Sequence, residues 1–309
     1  MMIEEVAEML AVTSGGHWVD ATVGGGAMTE MLLQLSAPGG VVLGLDRDAE
    51  ALELAAKRLA VYGPRLLLRH SSFSRLPETL AELNWSSTDE GGVNGIVADL
   101  GLSSLQLADS SRGFSFSTDG PLDMRMDRTA ETTAAGLANR LGEKELANLI
   151  FRYGQDRSSR AIARAIVKRR AASPLRTTTD LRDCVLAAGV RGRPGHDPAT
   201  RTFQAFRIAV NGEIESLEKF LDEAWALLTA GGRMVLLTYH SLEDRLVKHT
   251  FRRLASDCIC PPHRPICDCD WQAKVRVITK RKRRPSDEEV ERNPRARSGG
   301  LRAVERLGD

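Results

Sequence analysis

The N-terminal part of the chain alternates short apolar runs with segments of helical periodicity. The apolar runs predict strands at residues 17–20, 41–46, 66–69 and 93–99, and the periodic segments after the first two predict helices at 28–35 and 48–59. Continuously apolar strands that alternate with helices are typical of a parallel sheet with crossover helices, because both faces of such a sheet are covered. The pattern therefore predicts an α/β fold.

A long helical segment interrupts this alternation after Gly101. Helical patterns at 143–153, 158–170 and 178–188 follow one another without an intervening strand. The α/β pattern resumes with a helix at 213–228 and strands at 233–239 and 275–279. We therefore predict an α/β domain of residues 1–104 and 206–284, an inserted helical domain of residues 105–205 and a basic C-terminal tail of residues 285–309.

Three carboxylates, Asp20, Asp46 and Asp99, stand at the ends of predicted strands. The first strand runs into a loop with Gly24 and Gly26 and then into a helix, a geometry in which backbone comes close to a ligand. At the end of the second strand, Asp46 is placed to accept hydrogen bonds from ribose hydroxyls. Taken alone, each aspartate is more typical of a helix cap or a turn than of a ligand site. Together they predict a ligand site at the carboxyl ends of the strands.

The glycine loop departs from the dinucleotide fingerprint, because Thr29 stands where a third glycine is expected. S-adenosylmethionine has a ribose, an adenine and a cationic amino-acid end but no phosphate, so acidic residues suit its binding site. The pattern therefore favours a methyltransferase. An NAD-dependent oxidoreductase and a non-catalytic RNA-binding factor of the same fold are the alternatives.

The composition is that of a globular protein, with 309 residues of which 42% are hydrophobic. No apolar run has the length of a membrane-spanning helix, and the first ten residues carry three glutamates where a signal peptide would carry basic residues. Five cysteines are too few for a disulfide framework in a chain of this length. We therefore expect a cytoplasmic protein that does not contact a membrane.

A net charge of +2 hides two basic segments. Residues 272–309 hold twelve basic and six acidic side chains, and residues 157–176 hold seven basic and no acidic ones. Helical spacing places Arg157, Arg160, Arg164 and Lys168 in one stripe. Such segments favour contact with a polyanion such as RNA, and a solvated helix face or tail is the alternative.

Four of the cysteines form two Cys-x-Cys pairs, Cys258 with Cys260 and Cys267 with Cys269. Cysteine thiolates bind zinc, but zinc ribbons commonly space their cysteines by two residues rather than one. We therefore expect free thiols in a proline-rich loop and no metal site, with zinc as the alternative.

Four stretches of the sequence together resemble the bacterial 16S ribosomal RNA cytosine-N4 methyltransferase family. They are DATVGGGAMT at 20–29, DLGLSSLQLADSSRGFSFSTDGPLDMRMD at 99–127, HDPATRTFQAFRIAVNGE at 196–213 and TYHSLEDRLVK at 238–248. The resemblance implies a Rossmann-like class I methyltransferase fold with an inserted helical substrate domain. It implies S-adenosyl-L-methionine as cofactor and methylation of the N4 of a cytidine near the decoding centre. The implied partner is small-subunit ribosomal RNA or the assembled small subunit, and a homodimer is left open.

The resemblance also implies which residues contact the cofactor. The family's contacts carry over onto Gly24, Gly26, Ala27, Met28, Asp46, Phe73, Asp99 and Gln106. The family usually has Gly-Gly-His where this chain has Gly26, Ala27 and Met28. Met28 thus removes a polar group that is expected near the methionine end of the cofactor.

The predicted chemistry is set by the cytosine amino nitrogen, which is a poor nucleophile because its lone pair is conjugated into the ring. The enzyme must position it and supply an acceptor for an N–H. We predict catalytic roles for Asp99, Ser103 and His240, a structural role for the histidine being the alternative. Predicted substrate contacts are Arg112, Phe114, Phe116, Arg125, Arg201 and Arg207. Core packing is the alternative for the two phenylalanines, and ion pairing is the alternative for Arg201 and Arg207.

Overall fold

The computed structural model describes residues 2–85, 92–192, 197–261 and 268–308. His196, which begins the third motif, and Cys267 therefore lie outside the described residues. The chain divides into two compact units, the first formed by Met1–Gly101 with Glu215–Asp309 and the second by Leu102–Ile214. The second unit is longer at both ends than the insertion predicted at 105–205.

A seven-stranded sheet forms the centre of the first unit. Its strands are β1 (His17–Asp20), β2 (Val41–Asp46), β3 (Leu66–His70), β4 (Val93–Asp99), β5 (Leu228–Leu237), β6 (Val275–Val277) and β7 (Leu301–Arg306). The strand order is β3-β2-β1-β4-β5-β7-β6. Strands β1 to β5 pair in parallel, and β7 pairs antiparallel with β5 and β6. The sheet confirms the predicted α/β fold.

Helices connect the strands of the first unit and build the second. They are α1 (Ile3–Leu10), α2 (Ala27–Leu35), α3 (Ala49–Arg58), α4 (Leu76–Glu82), α5 (Ser104–Ala108), α6 (Ala134–Arg140), α7 (Glu143–Gly154), α8 (Ser159–Ala172), α9 (Thr178–Ala187), α10 (Thr200–Asn211), α11 (Glu213–Glu223), α12 (Ser241–Leu254) and α13 (Asp287–Arg292). In the part of the chain that the structure describes, none of these helices combines the length and the apolar character needed to cross a membrane.

Both faces of the sheet are buried, as expected for a parallel sheet. Successive side chains of a strand point to opposite faces, and β4 shows this directly. Ile96 and Ala98 belong to one apolar cluster, whereas Val97 between them belongs to another, and all three are fully buried. The two apolar clusters therefore cover opposite faces of the sheet.

The C-terminal segment is not the tail that was predicted at 285–309, because it contains α13 and ends in β7. Leu301 and Ala303 are fully buried in the sheet. Between them, the guanidinium of Arg302 donates to both carboxylate oxygens of Asp244, at 2.8 and 3.1 Å. Arg302, Glu305 and Arg306 interrupt the apolar residues of β7, so the hydrophobic pattern of the sequence does not predict this strand.

The second unit has its own apolar core, formed by one face of each longer helix. Its fully buried members include Leu146 and Ile150 of α7, Ile162 and Ile166 of α8 and Phe206 of α10. Side chains cap several helices, for example Thr177, whose hydroxyl accepts from the Asp180 backbone N–H at the start of α9.

Candidate active site

The three strand-end carboxylates lie along one edge of the sheet. Asp20, Asp46 and Asp99 end β1, β2 and β4, and these strands are parallel neighbours with β1 in the middle. The register pairs Asp20 with Gly44 of β2 and with Val97 of β4, so Asp46 and Asp99 each extend two residues further. The three carboxylates therefore share the edge at which open α/β sheets bind ligands.

Asp46 ties the glycine loop to the sheet. One of its carboxylate oxygens accepts from the Gly24 N–H at 2.7 Å, and the other accepts from the Asp48 N–H at 2.9 Å. Gly24 and Gly26 have positive φ, 47° and 80°. The Cβ of a side chain at Gly26 would also lie 3.1 Å from the Leu59 side chain. Both the positive φ and this close contact therefore favour glycine at this position. The loop thus turns around the Asp46 carboxylate before α2 begins.

Asp20 is fully buried beneath this loop. Its two oxygens accept from the Thr29 hydroxyl at 2.6 Å and from the Thr22 N–H at 3.1 Å. Burial raises the pKa of Asp20 to about 7, the two threonine bonds oppose this, and the charges of Asp46 and Asp99 raise it further. Thr29, which replaces the third glycine of a dinucleotide fingerprint, is therefore the hydroxyl partner of a buried carboxylate.

Asp99 is held by partners from two other segments. Its N–H donates to the Thr22 hydroxyl at 2.6 Å, and the Tyr239 hydroxyl donates to one of its carboxylate oxygens at 2.5 Å. Burial raises the pKa of Asp99 to about 6, which the Tyr239 hydrogen bond opposes and the nearby Glu243 charge increases. Burial and the adjacent Asp99 charge raise the pKa of the Tyr239 hydroxyl, so it remains a neutral donor.

His240, predicted as a catalytic group, caps helix α12 in this structure. Its Nδ1 accepts from the Glu243 backbone N–H at 3.3 Å, while the Glu243 carboxylate accepts from the Tyr239 N–H at 2.9 Å. His240 Nε2 lies 3.0 Å from the other Glu243 oxygen, outside hydrogen-bond geometry. The structural alternative for this histidine is thus observed, and its catalytic role stays a prediction.

The remaining predicted cofactor contacts of the first unit differ in where their side chains lie. Ala27 begins α2, directly after Gly26. Met28 is only 5% exposed and belongs to an apolar cluster of the core. Its side chain therefore packs in the core and does not replace the polar side chain that the family usually has at this position. Phe73 packs edge-on against Phe220, with 5.3 Å between ring centroids.

Ser103 and Gln106, predicted from the second motif, cap helix α5 of the second unit. The Ser103 hydroxyl accepts from the Gln106 N–H at 3.2 Å, and the Gln106 side-chain oxygen accepts from the Ser103 N–H at 3.1 Å. This reciprocal capping box fixes the start of α5. The catalytic role of Ser103 and the cofactor contact of Gln106 stay predictions.

Two predicted substrate contacts are buried inside the second unit. Arg112 is 4% exposed and donates to the backbone carbonyl of Arg125 at 3.1 Å. Phe114 is 6% exposed, and Phe116 packs edge-on against Phe203 with 4.8 Å between centroids. Phe114 belongs to the apolar core of the second unit and Phe116 is partly buried against it, as in the core-packing alternative. Contact of either ring with a base stays a prediction.

Two other predicted arginines are engaged in ion pairs of the second unit. Arg125 donates to both oxygens of Asp123 at 2.8 Å, and Arg207 donates to both oxygens of Glu213 at 2.9 and 2.8 Å. Arg201 is exposed, and its guanidinium makes a long 3.4 Å contact with the Gln155 backbone carbonyl. Of the six predicted substrate contacts, Arg201 alone is classed as exposed.

Sequence reasoning missed four residues that hold the site together: Thr22, Thr29, Tyr239 and Glu243. Thr22 and Thr29 flank the glycines in the first motif, where a hydroxyl beside a buried aspartate was the available signal. Tyr239 and Glu243 lie in the fourth motif, just after β5, the strand next to β4. Adjacent strand ends were therefore the signal that could have linked Tyr239 to Asp99.

Comparison with known proteins identifies the family. The model of the MraW methylase family matches residues 1–307. A protein named "Ribosomal RNA small subunit methyltransferase H" from Syntrophobacter fumaroxidans is 49% identical over 310 residues, which cover 100% of this chain and 96% of that protein. Proteins of the same name from Syntrophotalea carbinolica and Geobacter sulfurreducens are 48% and 47% identical, over 99% of this chain and 97% and 98% of theirs.

These matches confirm the resemblance to a methyltransferase family that was expected from the four motifs. The seven-stranded sheet is that of the class I methyltransferases, and the cofactor is S-adenosylmethionine. The chain belongs to the MraW methylase family.

Proposed function

We propose that this chain transfers a methyl group from S-adenosyl-L-methionine to the exocyclic N4 of a cytidine in 16S ribosomal RNA, near the decoding centre. Its substrate is small-subunit ribosomal RNA or the assembled small subunit, in the cytoplasm. The name of its relatives, ribosomal RNA small subunit methyltransferase H, and the four sequence motifs support the proposal. The observation that carries it is the row of three carboxylates, Asp20 fully buried and Asp46 and Asp99 partly buried, around a glycine loop.

This row fits the proposed cofactor because of its charge. Burial raises the pKa of Asp46 as well as those of Asp20 and Asp99, so ionised carboxylates there are short of compensating positive charge. A phosphate would be repelled from such a site, whereas a sulfonium or ammonium group would be attracted. Each Asp46 oxygen uses one lone pair for a backbone N–H and keeps another for a ribose hydroxyl.

The residues of the first unit suit the expected methyl transfer. Bound S-adenosylmethionine supplies an electrophilic methyl group. In the proposed reaction, the Asp99 carboxylate accepts a hydrogen bond from an N–H of the cytosine amino group and then takes that proton. The hydrogen bond from the Tyr239 hydroxyl orients the carboxylate. If Asp99→Asn and Ser103→Ala proteins both methylate at the wild-type rate, the acceptor lies elsewhere.

An exposed basic stripe on α8 supports a polyanionic substrate. Arg160, Arg164 and Lys168 are exposed, whereas Ile162 and Ile166 on the opposite face are fully buried. Arg157, just before the helix, is exposed as well. The stripe thus presents cations to solvent at helical spacing, which suits contact with successive phosphates.

The basic segment at 280–284 is only partly available. The Lys282 amino group donates to the Thr238 carbonyl at 3.2 Å, and Arg283 pairs with Glu8 at 2.7 Å. Lys280, Arg281 and Arg284 are exposed. These three therefore form a smaller second surface for phosphates.

Nucleoside analysis tests the reaction itself. Small subunits and naked 16S ribosomal RNA from cells that lack this protein are incubated with the purified chain and methyl-labelled S-adenosylmethionine. Digestion and mass spectrometry are expected to show labelled N4-methylcytidine. Label on another base or atom would contradict the proposed specificity, and absence of label from both substrates would favour the non-catalytic alternative.

The Tyr239→Phe variant tests the role of Asp99. Removing the hydroxyl removes a hydrogen bond that stabilises the Asp99 carboxylate, so its pKa, about 6 in the wild type, is expected to rise. A net hydrogen bond of ~1 kcal/mol corresponds to a rise of up to about one pKa unit. Because the carboxylate is the active form, the acid limb of kcat/KM moves to higher pH by that amount.

The matched control is Tyr62→Phe, which removes the hydroxyl of another tyrosine that packs against the same apolar cluster as Tyr239. Its pH profile is expected to coincide with that of the wild type. An acid limb that stays in place in the Tyr239→Phe protein would show that Asp99 does not act as the acceptor.

The salt dependence of RNA binding tests the α8 stripe. We expect the dissociation constant for small-subunit ribosomal RNA to rise steeply with salt, and the double variant Arg160→Ala/Lys168→Ala to bind more weakly. The slope of log affinity against log salt should fall by about 0.7 for each lost contact to single-stranded RNA. Lys144→Ala, which removes an exposed lysine of α7, is the control with an unchanged slope. Wild-type binding that is indifferent to salt would contradict the proposed interface.

A further inference from the structure

Three cysteine side chains converge in the loop between α12 and β6 of the first unit. The sulfur atoms of Cys258, Cys260 and Cys269 all lie within 4.8 Å of one another. Those of Cys258 and Cys269 are 3.8 Å apart. None of the three belongs to the carboxylate row. The sequence led us to expect free thiols without a metal, because the Cys-x-Cys spacing is unusual. The folded loop brings Cys269 to the first pair, Cys258 and Cys260.

The spacing of the sulfur atoms fits tetrahedral metal coordination. With zinc–sulfur bonds of about 2.3 Å, two thiolates on one tetrahedral zinc lie about 3.8 Å apart. A disulfide would bring two sulfur atoms to about 2.0 Å. The observed distance between Cys258 and Cys269 matches the first arrangement.

Backbone and side-chain hydrogen bonds orient the first pair of sulfur atoms. The Cys260 N–H donates to the Cys258 sulfur at 3.4 Å. The Ser256 hydroxyl donates to the Cys258 carbonyl at 2.6 Å and accepts from the Cys258 N–H at 3.3 Å, which pins the turn that carries the first pair.

Few structural elements hold the described part of the loop between α12 and β6 in place. Its base is closed by the Lys274 N–H, which donates to the Leu254 carbonyl at 2.7 Å. Between these residues the described part of the chain contains no helix or strand, and Ile259 is 44% exposed. Long loops without their own apolar core are commonly held by disulfides or metals, since metal binding supplies folding energy directly.

We propose that Cys258, Cys260 and Cys269 bind one zinc ion as thiolates. Thiolate ligands select zinc over magnesium or calcium, which prefer oxygen. Helix α12 has 14 residues and spans ~21 Å between the Tyr239 end of the active site and this loop. The zinc therefore serves to fix the loop rather than to take part in methyl transfer.

Metal analysis of the full chain tests the proposal. The protein is purified under reducing conditions, supplied with zinc, desalted and analysed by mass spectrometry for metals. We expect one zinc per chain in the wild type and a loss of most of it in each of Cys258→Ser, Cys260→Ser and Cys269→Ser. Cys184→Ser, which changes the buried cysteine of the second unit, is the control that keeps its zinc.

Thiol protection gives a second readout that needs no variant. In the zinc-loaded wild type, Cys258, Cys260 and Cys269 should resist alkylation and become reactive when a chelator removes the metal, while buried Cys184 stays protected in both states. Cobalt in place of zinc should give the intense visible bands of tetrahedral thiolate coordination. The proposal is contradicted by a zinc-free wild type with three reactive thiols, by a native Cys258–Cys269 disulfide, or by zinc that all three single variants retain.

Discussion

The active site depends on the placement of three carboxylates along one edge of the sheet, of which Asp20 is fully buried and Asp46 and Asp99 are partly buried. A buried charge is costly unless hydrogen bonds and nearby charges compensate it. Asp46 obtains its bonds from backbone N–H groups, Asp20 from a threonine hydroxyl and a backbone N–H, and Asp99 from the Tyr239 hydroxyl. The glycine loop, the start of α2 and the segment after β5 are therefore placed by the need to solvate these carboxylates.

These hydrogen bonds do not fully compensate the negative charge of the carboxylates, so the site favours a positively charged ligand. The pKa of Asp20 is raised to about 7 and that of Asp99 to about 6, and the charges of Asp46 and Asp99 each add to the shift of Asp20. A cation brought to this edge would relieve the mutual repulsion. One arrangement thus accounts both for Thr29 in place of a third glycine and for a cofactor that carries a sulfonium rather than phosphates.

The sequence predicted those parts of the structure that follow from local pattern. Strands β1, β2 and β4 have the predicted bounds, because each is an apolar run that ends in an aspartate. Strand β5 begins at Leu228 rather than 233, since two glycines interrupt the pattern. The roles of Arg112 and Tyr239 could not be derived in this way, because their partners, Arg125 and Asp99, are set by tertiary contacts that no local spacing records.

The most direct measurement compares the affinities of S-adenosylmethionine and S-adenosylhomocysteine by calorimetry as a function of pH. The two ligands differ in the methyl group and in the positive charge on sulfur. As the pH rises from below the pKa of Asp99, about 6, to above that of Asp20, about 7, the preference for the sulfonium should increase because the carboxylates ionise. An affinity ratio that stays constant over this interval would contradict the claim that buried carboxylates select the cationic cofactor.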